Sequence, residues 1–322
     1  TDPCTNATFA GNPYGDLTAE QQQRCMDQGV PAGGAPQATS QINSLGGGNP
    51  FLQPEEGDTR TLGFVYSPSF LEDFDMTLDY WNIELEDALS SRSVTSILQG
   101  CILDGDQTDC QFIQRNEATG EVSRVRTASF NLATIEVTGY DASFNYRHDL
   151  GDFGQLMASL KTTYTDEAKA TTGALSEAED EVGNASGLFG GPTYKWRSNF
   201  ALDWVYGDLT VNWTMRHTSD VTESCSGLAN LYEAGLSEVP LCTNPNATNA
   251  DGEPAPFNKI GSVVYHDVSA DYELPWEASV RVGVRNLFDK QPPYAFNAFA
   301  NSYLQTYDIP GGVFFMNYEQ RF

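Results

Sequence analysis

The stretch WRSNFALDWVYGDLTVNWTMR, Trp196 to Arg216, decides how the whole chain is read. In its first half Trp196, Phe200, Leu202, Trp204 and Tyr206 alternate with Arg197, Asn199 and Asp203. After Gly207 and Asp208 the pattern resumes, with Leu209, Val211, Trp213 and Met215 set against Thr210, Asn212, Thr214 and Arg216. Successive side chains of a strand point to opposite faces, so a period of two predicts two strands, each with one apolar and one polar face, joined by a tight turn.

The same period recurs on both sides of this hairpin. Upstream it runs through Leu62–Tyr66, Met76–Tyr80, Tyr140–Tyr146 and Leu156–Tyr164, and downstream through Val264–Leu274, Ala278–Val284 and Val313–Phe322. In the second of these the phase slips from Tyr80 to Ile83 and Leu85, which predicts a bulge near Trp81. Nine strands result, each of a length to cross a bilayer, which takes about 9–11 residues. Trp204, Val211, Val282 and Phe322 are expected on the lipid face, and Arg197, Arg281, Asp267 and Glu319 on the lumen face. The connections alternate as well. Short ones at 67–74, 149–153, 207–208 and 274–276 are interleaved with long polar ones at 86–133, 165–193, 218–261 and 289–311. Short turns on one side, long loops on the other and aromatic residues at strand ends are the signature of an outer-membrane barrel. A soluble β-sandwich also alternates, but its hairpins do not sort into short and long by side.

Composition agrees with this reading. The 322 residues carry 17 basic and 44 acidic side chains, a net charge of −27, which argues against a nucleic-acid partner. No run approaches the roughly 20 apolar residues of a membrane helix. The 18 Phe, 15 Tyr and 5 Trp argue against disorder. Six cysteines without a CxxC motif point to disulfides in an oxidising compartment, with a metal site the weaker reading. Six cysteines allow 15 pairings; the pairs Cys4–Cys25, Cys101–Cys110 and Cys225–Cys242 are expected because each sits in one polar, turn-rich stretch.

Single-chain bacterial barrels have an even number of strands, and nine is odd. The last strand ends on the short-turn side, so the first begins on the long-loop side. The chain is therefore expected to be the C-terminal part of a larger barrel, whose export signal lies upstream. On this reading residues 1–58 are an outer loop segment leading into the barrel, and residues 59–322 are transmembrane strands and their loops.

Several stretches resemble the C-terminal barrel half of TonB-dependent outer-membrane receptors. They are Gly48-Asn49-Pro50-Phe51-Leu52-Gln53-Pro54-Glu55 followed by Asp58–Gly63; Leu78-Asp79-Tyr80-Trp81-Asn82-Ile83; and Arg285-Asn286-Leu287-Phe288-Asp289-Lys290 followed by Pro292-Pro293-Tyr294. The resemblance spans residues 48–322, and the Asn286–Lys290 element is its most specific part. It implies a 22-stranded barrel of which these are the last nine strands. A terminal Phe322 fits the barrel-assembly signal, although Gln320 stands where an aromatic is more usual. The family's N-terminal plug and its TonB-binding box are absent from these residues. The resemblance further implies energised uptake of a scarce nutrient: an iron–siderophore, cobalamin, a glycan or a peptide. The partners it implies are outer-membrane lipid, the N-terminal part of the same receptor and, through that part, the TonB complex.

No catalytic motif appears: GxSxG, HExxH, Walker A and the dinucleotide fingerprint are all lacking, so no enzyme, cofactor or resident metal is expected. Asp104, Asp106 and Asp109 between Cys101 and Cys110 have a calcium-like carboxylate density, but lack EF-hand spacing. A solvated acidic disulfide loop is the favoured reading there. His266 falls on the apolar face and is read as interfacial. The aromatic run Tyr294, Phe296, Phe299, Tyr303 and Tyr307 in the last long connection has two readings, loop packing or a stacking platform for a ligand. A passive porin-like channel and a secreted β-rich lectin or adhesin are the rival functions.

Overall fold

The computed structural model describes residues 1–7, 10–37, 39, 41–171, 178–186, 191–223, 259–295 and 303–321. Among them no helix is long and apolar enough to cross a membrane. Two helices, α1 (Pro13–Asp16) and α2 (Ala19–Asp27), precede β1 (Ser44–Gly47), β2 (Glu56–Tyr66) and β3 (Phe74–Ser91). Then come α3 (Val94–Gln99), a π turn at Gly100–Asp104, α4 (Gln107–Cys110), β4 (Ile113–Arg115), β5 (Val122–Asp149) and β6 (Gln155–Thr171). The rest is β7 (Glu179–Asp180), β8 (Trp196–Tyr206), β9 (Leu209–Thr218), β10 (Val221–Thr222), β11 (Lys259–Ile260), β12 (Val263–Leu274), β13 (Ala278–Arg285) and β14 (Val313–Gln320).

Nine strands form one continuous hydrogen-bonded path, in the order β14-β13-β12-β9-β8-β6-β5-β3-β2. They are the nine read from the alternation, with β2 and β14 at the two ends of the path. Three particulars differ from expectation. β5 begins at Val122, not near Ala133, and β3 and β6 run on to Ser91 and Thr171. Polar residues occupy both faces of these extensions, so period two carries no hydrophobic signal there. The long connection after β3 is not plain loop but holds three short helical turns. And the sheet is not wholly antiparallel, because β1 pairs in parallel with β5, Ser44 opposite Val125 through Gly47 opposite Ala128.

The register fixes the faces. Leu156, Trp204, Val211, Ala270, Val282 and Met316 stand opposite one another across six strands, forming one apolar row. One residue along, Val205, Thr210, Asp271, Arg281 and Asn317 form a row on the opposite face. The expected sorting of Trp204, Val211 and Val282 from Asp267 and Arg281 therefore holds in a single phase; Phe322 lies outside the described residues. Gly283 belongs to the polar face, where the Phe315 ring lies across it. A Cβ there would meet Phe315 Cζ at 2.6 Å and the Val268 carbonyl oxygen at 2.7 Å, so only glycine fits.

Aromatic side chains on the apolar face form two bands. Toward the long connections, Tyr80, Tyr140, Tyr164 and Trp196 touch in sequence across β3, β5, β6 and β8, with ring centroids 5.4, 6.4 and 5.5 Å apart. Toward the short turns, Trp204 stacks on Tyr206 at 5.8 Å and donates its indole N–H to the Phe153 carbonyl. Trp196 and Tyr206 share a face ten residues apart in β8. At ~3.3 Å per residue that is ~33 Å along the strand. A strand tilt of ~40° projects it to ~25 Å, the height of the apolar band of an outer-membrane barrel.

The chain divides into two compact units: Thr1–Gly57, Leu85–Ile135 and Ala170–Glu179 in the first, the remainder in the second. The first has its own core of Tyr14, Val30, Ala35, Ile97, Leu98, Ile102, Ile113 and Val125 around the disulfides Cys4–Cys25 and Cys101–Cys110. Helix α2 starts on a reciprocal capping box: Thr18 Oγ1 accepts from the Gln21 amide and Gln21 Oε1 from the Thr18 amide. Both of these cysteine pairs are the expected ones. Cys225 and Cys242 lie outside the described residues.

Candidate functional site

The polar face of β3 to β13 is hydrogen-bonded across strands. Asp75 accepts from Asn145 at 2.8 Å, Asp141 from the Thr163 hydroxyl at 2.6 Å, and Asp203 from Asn212 at 2.6 Å. Asp271 pairs with Arg281 and Asp73 with Arg147. Polar side chains on one face of a sheet pair with neighbouring strands of that face, where the register sets the partners, or two residues along their own strand, as Thr214 does with Asn212.

Near the long connections the centre of this network is Arg216. Its Nε donates to Asp267 Oδ2 at 2.9 Å, its Nη2 to Asp308, and its guanidinium sits 5.1 Å from the centroid of the Tyr265 ring. The Tyr265 hydroxyl in turn accepts from the Asp308 amide. The segment around Asp308 is thus tied to β9 and β12. A cavity of about 510 Å³ lies here, lined by Arg216, Asp267, Arg285, Asp308, Pro310 and Gly311.

The Asn286–Lys290 element closes the end of β13. Asn286 is almost wholly buried and adopts left-handed φ of 52°, which asparagine tolerates better than most residues. Its side chain donates to the Lys290 carbonyl at 3.0 Å and accepts from the Lys290 amide at 2.8 Å. Its own amide donates to Asp267 at 2.8 Å. Asp289, also at positive φ, accepts from the Gly312 amide at 2.9 Å and so links this turn to the start of β14. The motif is a structural clasp made of side chain to backbone bonds.

The aromatic run separates in the structure. Tyr307 is buried with Tyr194, Val221, Ile260, Val263, Tyr265 and Ala295 in a small core; burial pushes its phenol well above the usual tyrosine range. Tyr294 is two-thirds exposed and stacks on Tyr303, their centroids 5.3 Å apart. The hydrogen bond between the two phenols raises the Tyr303 pKa. Phe296 and Phe299 lie outside the described residues. His266 stacks on Trp213 at 5.7 Å, accepts from its indole N–H at 3.2 Å, and meets Phe288 edge to face.

The acidic disulfide loop is engaged from within. Arg92 pairs with both Asp106 and Asp109, and Asp106 Oδ1 also caps α4 through the Thr108 amide. Asp109 is fully buried, and that burial, partly offset by Arg92 and reinforced by Asp106 and Asp104, pushes its carboxyl up to about 6. Sequence reading missed the pairs that organise the first unit. Arg115 meets Asp2 at 2.6 Å, with both side chains nearly fully buried. Arg24 donates to the Ile102 and Leu103 carbonyls. Their separations of 113 and 78–79 residues leave no local signal.

A sheet with one charged face, one apolar face and aromatic bands the height of a bilayer apart defines the wall of a membrane β-barrel. The sequence from residue 8 to residue 287 matches the family described as TonB dependent receptor-like, beta-barrel, and the chain belongs to that family. It is thus an outer-membrane barrel protein of the Gram-negative type. The FrpB iron transporter of Neisseria meningitidis (F3-3 variant) is similar in structure at 13% identity and a TM-score of 0.52, over 87% of this chain and 33% of that one. A ferric enterobactin receptor (PfeA) mutant from Pseudomonas aeruginosa, in complex with enterobactin, is similar at 16% identity and a TM-score of 0.52, over 85% of this chain and 32% of that one. The chain spans about a third of the length of these solved structures. No curated protein sequence matches it.

Proposed function

We propose that the chain is the C-terminal barrel portion of a TonB-dependent receptor that imports a scarce nutrient across the outer membrane. The observation that carries this is the two-faced nine-strand wall of a family member, charged on one side and banded by aromatics on the other. On this reading the charged face lines the lumen, and an N-terminal plug and further strands complete the receptor and engage TonB. Residues 1–58 then belong to the outer side and lead into the barrel at 59–322. The cargo belongs among iron–siderophores, cobalamin, glycans and peptides. The likeness to the FrpB iron transporter and to the ferric enterobactin receptor PfeA favours the iron-bearing members of that set. The exposed Tyr294–Tyr303 stack is the surface offered to it. The reading gives no role to enzymatic catalysis.

The test is growth on candidate iron sources, with uptake of labelled ligand, in cells with and without the gene and with and without TonB. Uptake that needs both is expected. Uptake that needs the gene but not TonB would establish the passive channel instead. Tyr294→Ala with Tyr303→Ala should weaken ligand binding about tenfold or more, since an aromatic contact of this kind is worth ~0.5–1.5 kcal/mol for each ring.

A further inference from the structure

Tyr294 and Tyr303 are placed for a reaction with each other. Their rings face one another with centroids 5.3 Å apart and planes 29° from parallel, and their phenols share a hydrogen bond. Each ring hangs from an anchored backbone. Ala295, next to Tyr294, is fully buried in the small core around Tyr307, and Leu304, next to Tyr303, packs against the same core. Tyr294 is nonetheless 68% exposed, so solutes on the aqueous side reach it. Tyr80 and Tyr140 are also in contact, with centroids 5.4 Å apart, but they lie in the aromatic band of the apolar face with their planes at 53°. Tyr194, Tyr265 and Tyr307 are buried. Among the described residues no free thiol competes for an oxidant.

Two phenols held in contact turn a chance encounter between radicals into a step within one molecule. We propose that Tyr294 and Tyr303 are a modification site, at which hydrogen peroxide, acting through a one-electron oxidant of the haem-peroxidase class, couples them into dityrosine. Each phenol gives up one electron and its hydroxyl proton. The two radicals join through ring carbons beside the hydroxyls, and the hydrogen on each of those carbons moves to the oxygen as aromaticity returns. The two electrons and two protons reduce one peroxide to two waters. The product replaces a reversible stack with a covalent link that closes the segment from residue 294 to residue 303. The inference does not rest on the transport reading, and its test measures no uptake.

The experiment treats the receptor, with every segment its gene encodes and purified in detergent, with a haem peroxidase and limiting hydrogen peroxide. Chymotrypsin, cutting after Phe296 and Phe299, separates the two tyrosines unless they are joined. Mass spectrometry should recover their two peptides as one species, lighter than the sum by one H2, and dityrosine fluorescence should appear with it. Tyr294→Phe and Tyr303→Phe keep the ring and lose the phenol; each should remove most of that fluorescence, whereas Tyr80→Phe should leave it. Receptor unfolded in urea should give about tenfold less of the joined species, since the held contact is gone. In the joined protein, hydrogen exchange of residues 304–311 should slow about tenfold or more, because closing the segment removes open conformers. A joined species formed as readily in the unfolded chain overturns the proposal, as does fluorescence that survives Tyr303→Phe. Coupling of Tyr80 to Tyr140 in preference, or exchange unaltered by the link, also overturns it. If a phenylalanine variant fails to fold, the wild-type yield against that of the unfolded chain decides the matter alone.

Discussion

Replacing Asp2 by alanine isolates one interaction whose cost the structure fixes. Asp2 accepts from Arg115 Nη1 at 2.6 Å and Nη2 at 3.0 Å, and from the Cys4 amide at 3.1 Å. The exposures of the two side chains, 4% for Arg115 and 2% for Asp2, leave no room for water to take over. Without Asp2 the buried guanidinium keeps only the Gly120 carbonyl, at 2.9 Å. Removing one partner of a buried ion pair costs about 3–5 kcal/mol, which raises the local opening constant by roughly two to three and a half powers of ten. Hydrogen exchange followed by mass spectrometry should show this as lost protection in peptides spanning 1–37 and 113–125, with peptides of β8 and β9 unchanged. Asp2→Asn with Arg115→Met should recover most of the loss, since the uncompensated charge is then gone. Unchanged protection in Asp2→Ala would refute the argument that the pair holds the N-terminal segment in place.

Three further outcomes are expected. Because the Asp109 carboxyl is raised to about 6 in the fold from an ordinary 3.8, the folded loop binds the extra proton; protection of residues 100–112 should rise as pH falls from 6 to 4, stay flat above 7, and lose this dependence in Asp109→Asn. Reducing the 9-residue-separated Cys101–Cys110 link should cost its loop about 2.7 kcal/mol, and the 21-residue-separated Cys4–Cys25 link about 3.4 kcal/mol, by loop-closure entropy; non-reducing peptide mapping that recovers a cross-pair such as Cys25–Cys101 would contradict both. Val282→Arg, on the apolar row, should destabilise the barrel by up to ~2–4 kcal/mol in detergent or lipid refolding, whereas Asn317→Arg on the opposite face should be tolerated.

What the sequence revealed follows from which contacts are periodic. The nine strands, their faces and the short turns were legible because period two is imposed at every residue by one face meeting apolar surroundings. Where β5 extends upstream through Arg124 and Arg126 that contrast disappears, and its length was read about 11 residues short (Val122 against Ala133). The pairs Cys4–Cys25 and Cys101–Cys110 were legible as neighbours in the chain. The Arg216–Asp308 and Asp2–Arg115 pairs were not, because each joins residues about a hundred positions apart, with nothing in either stretch that names the other. The aromatic run after Asn286 was seen, but its division into a buried Tyr307 and an exposed Tyr294 depends on β10, β11 and β12, which no local pattern supplies.

The first unit is built from segments on either side of the β2–β3 hairpin: Thr1–Gly57 comes before it and Leu85–Ile135 after. Glu55 accepts from the Leu89 amide at 2.6 Å, at the point where the chain leaves for the hairpin and comes back. This shortens one long closure. Until the hairpin closes, joining Asp2 to Arg115 means closing a loop of 113 residues; once it closes, the excursion between Glu55 and Leu89 no longer counts toward the loop. The saving is only a few tenths of a kcal/mol, because closure entropy grows with the logarithm of length. The turn at 67–73 thus bears on how readily the Asp2–Arg115 pair closes, by a factor of about two.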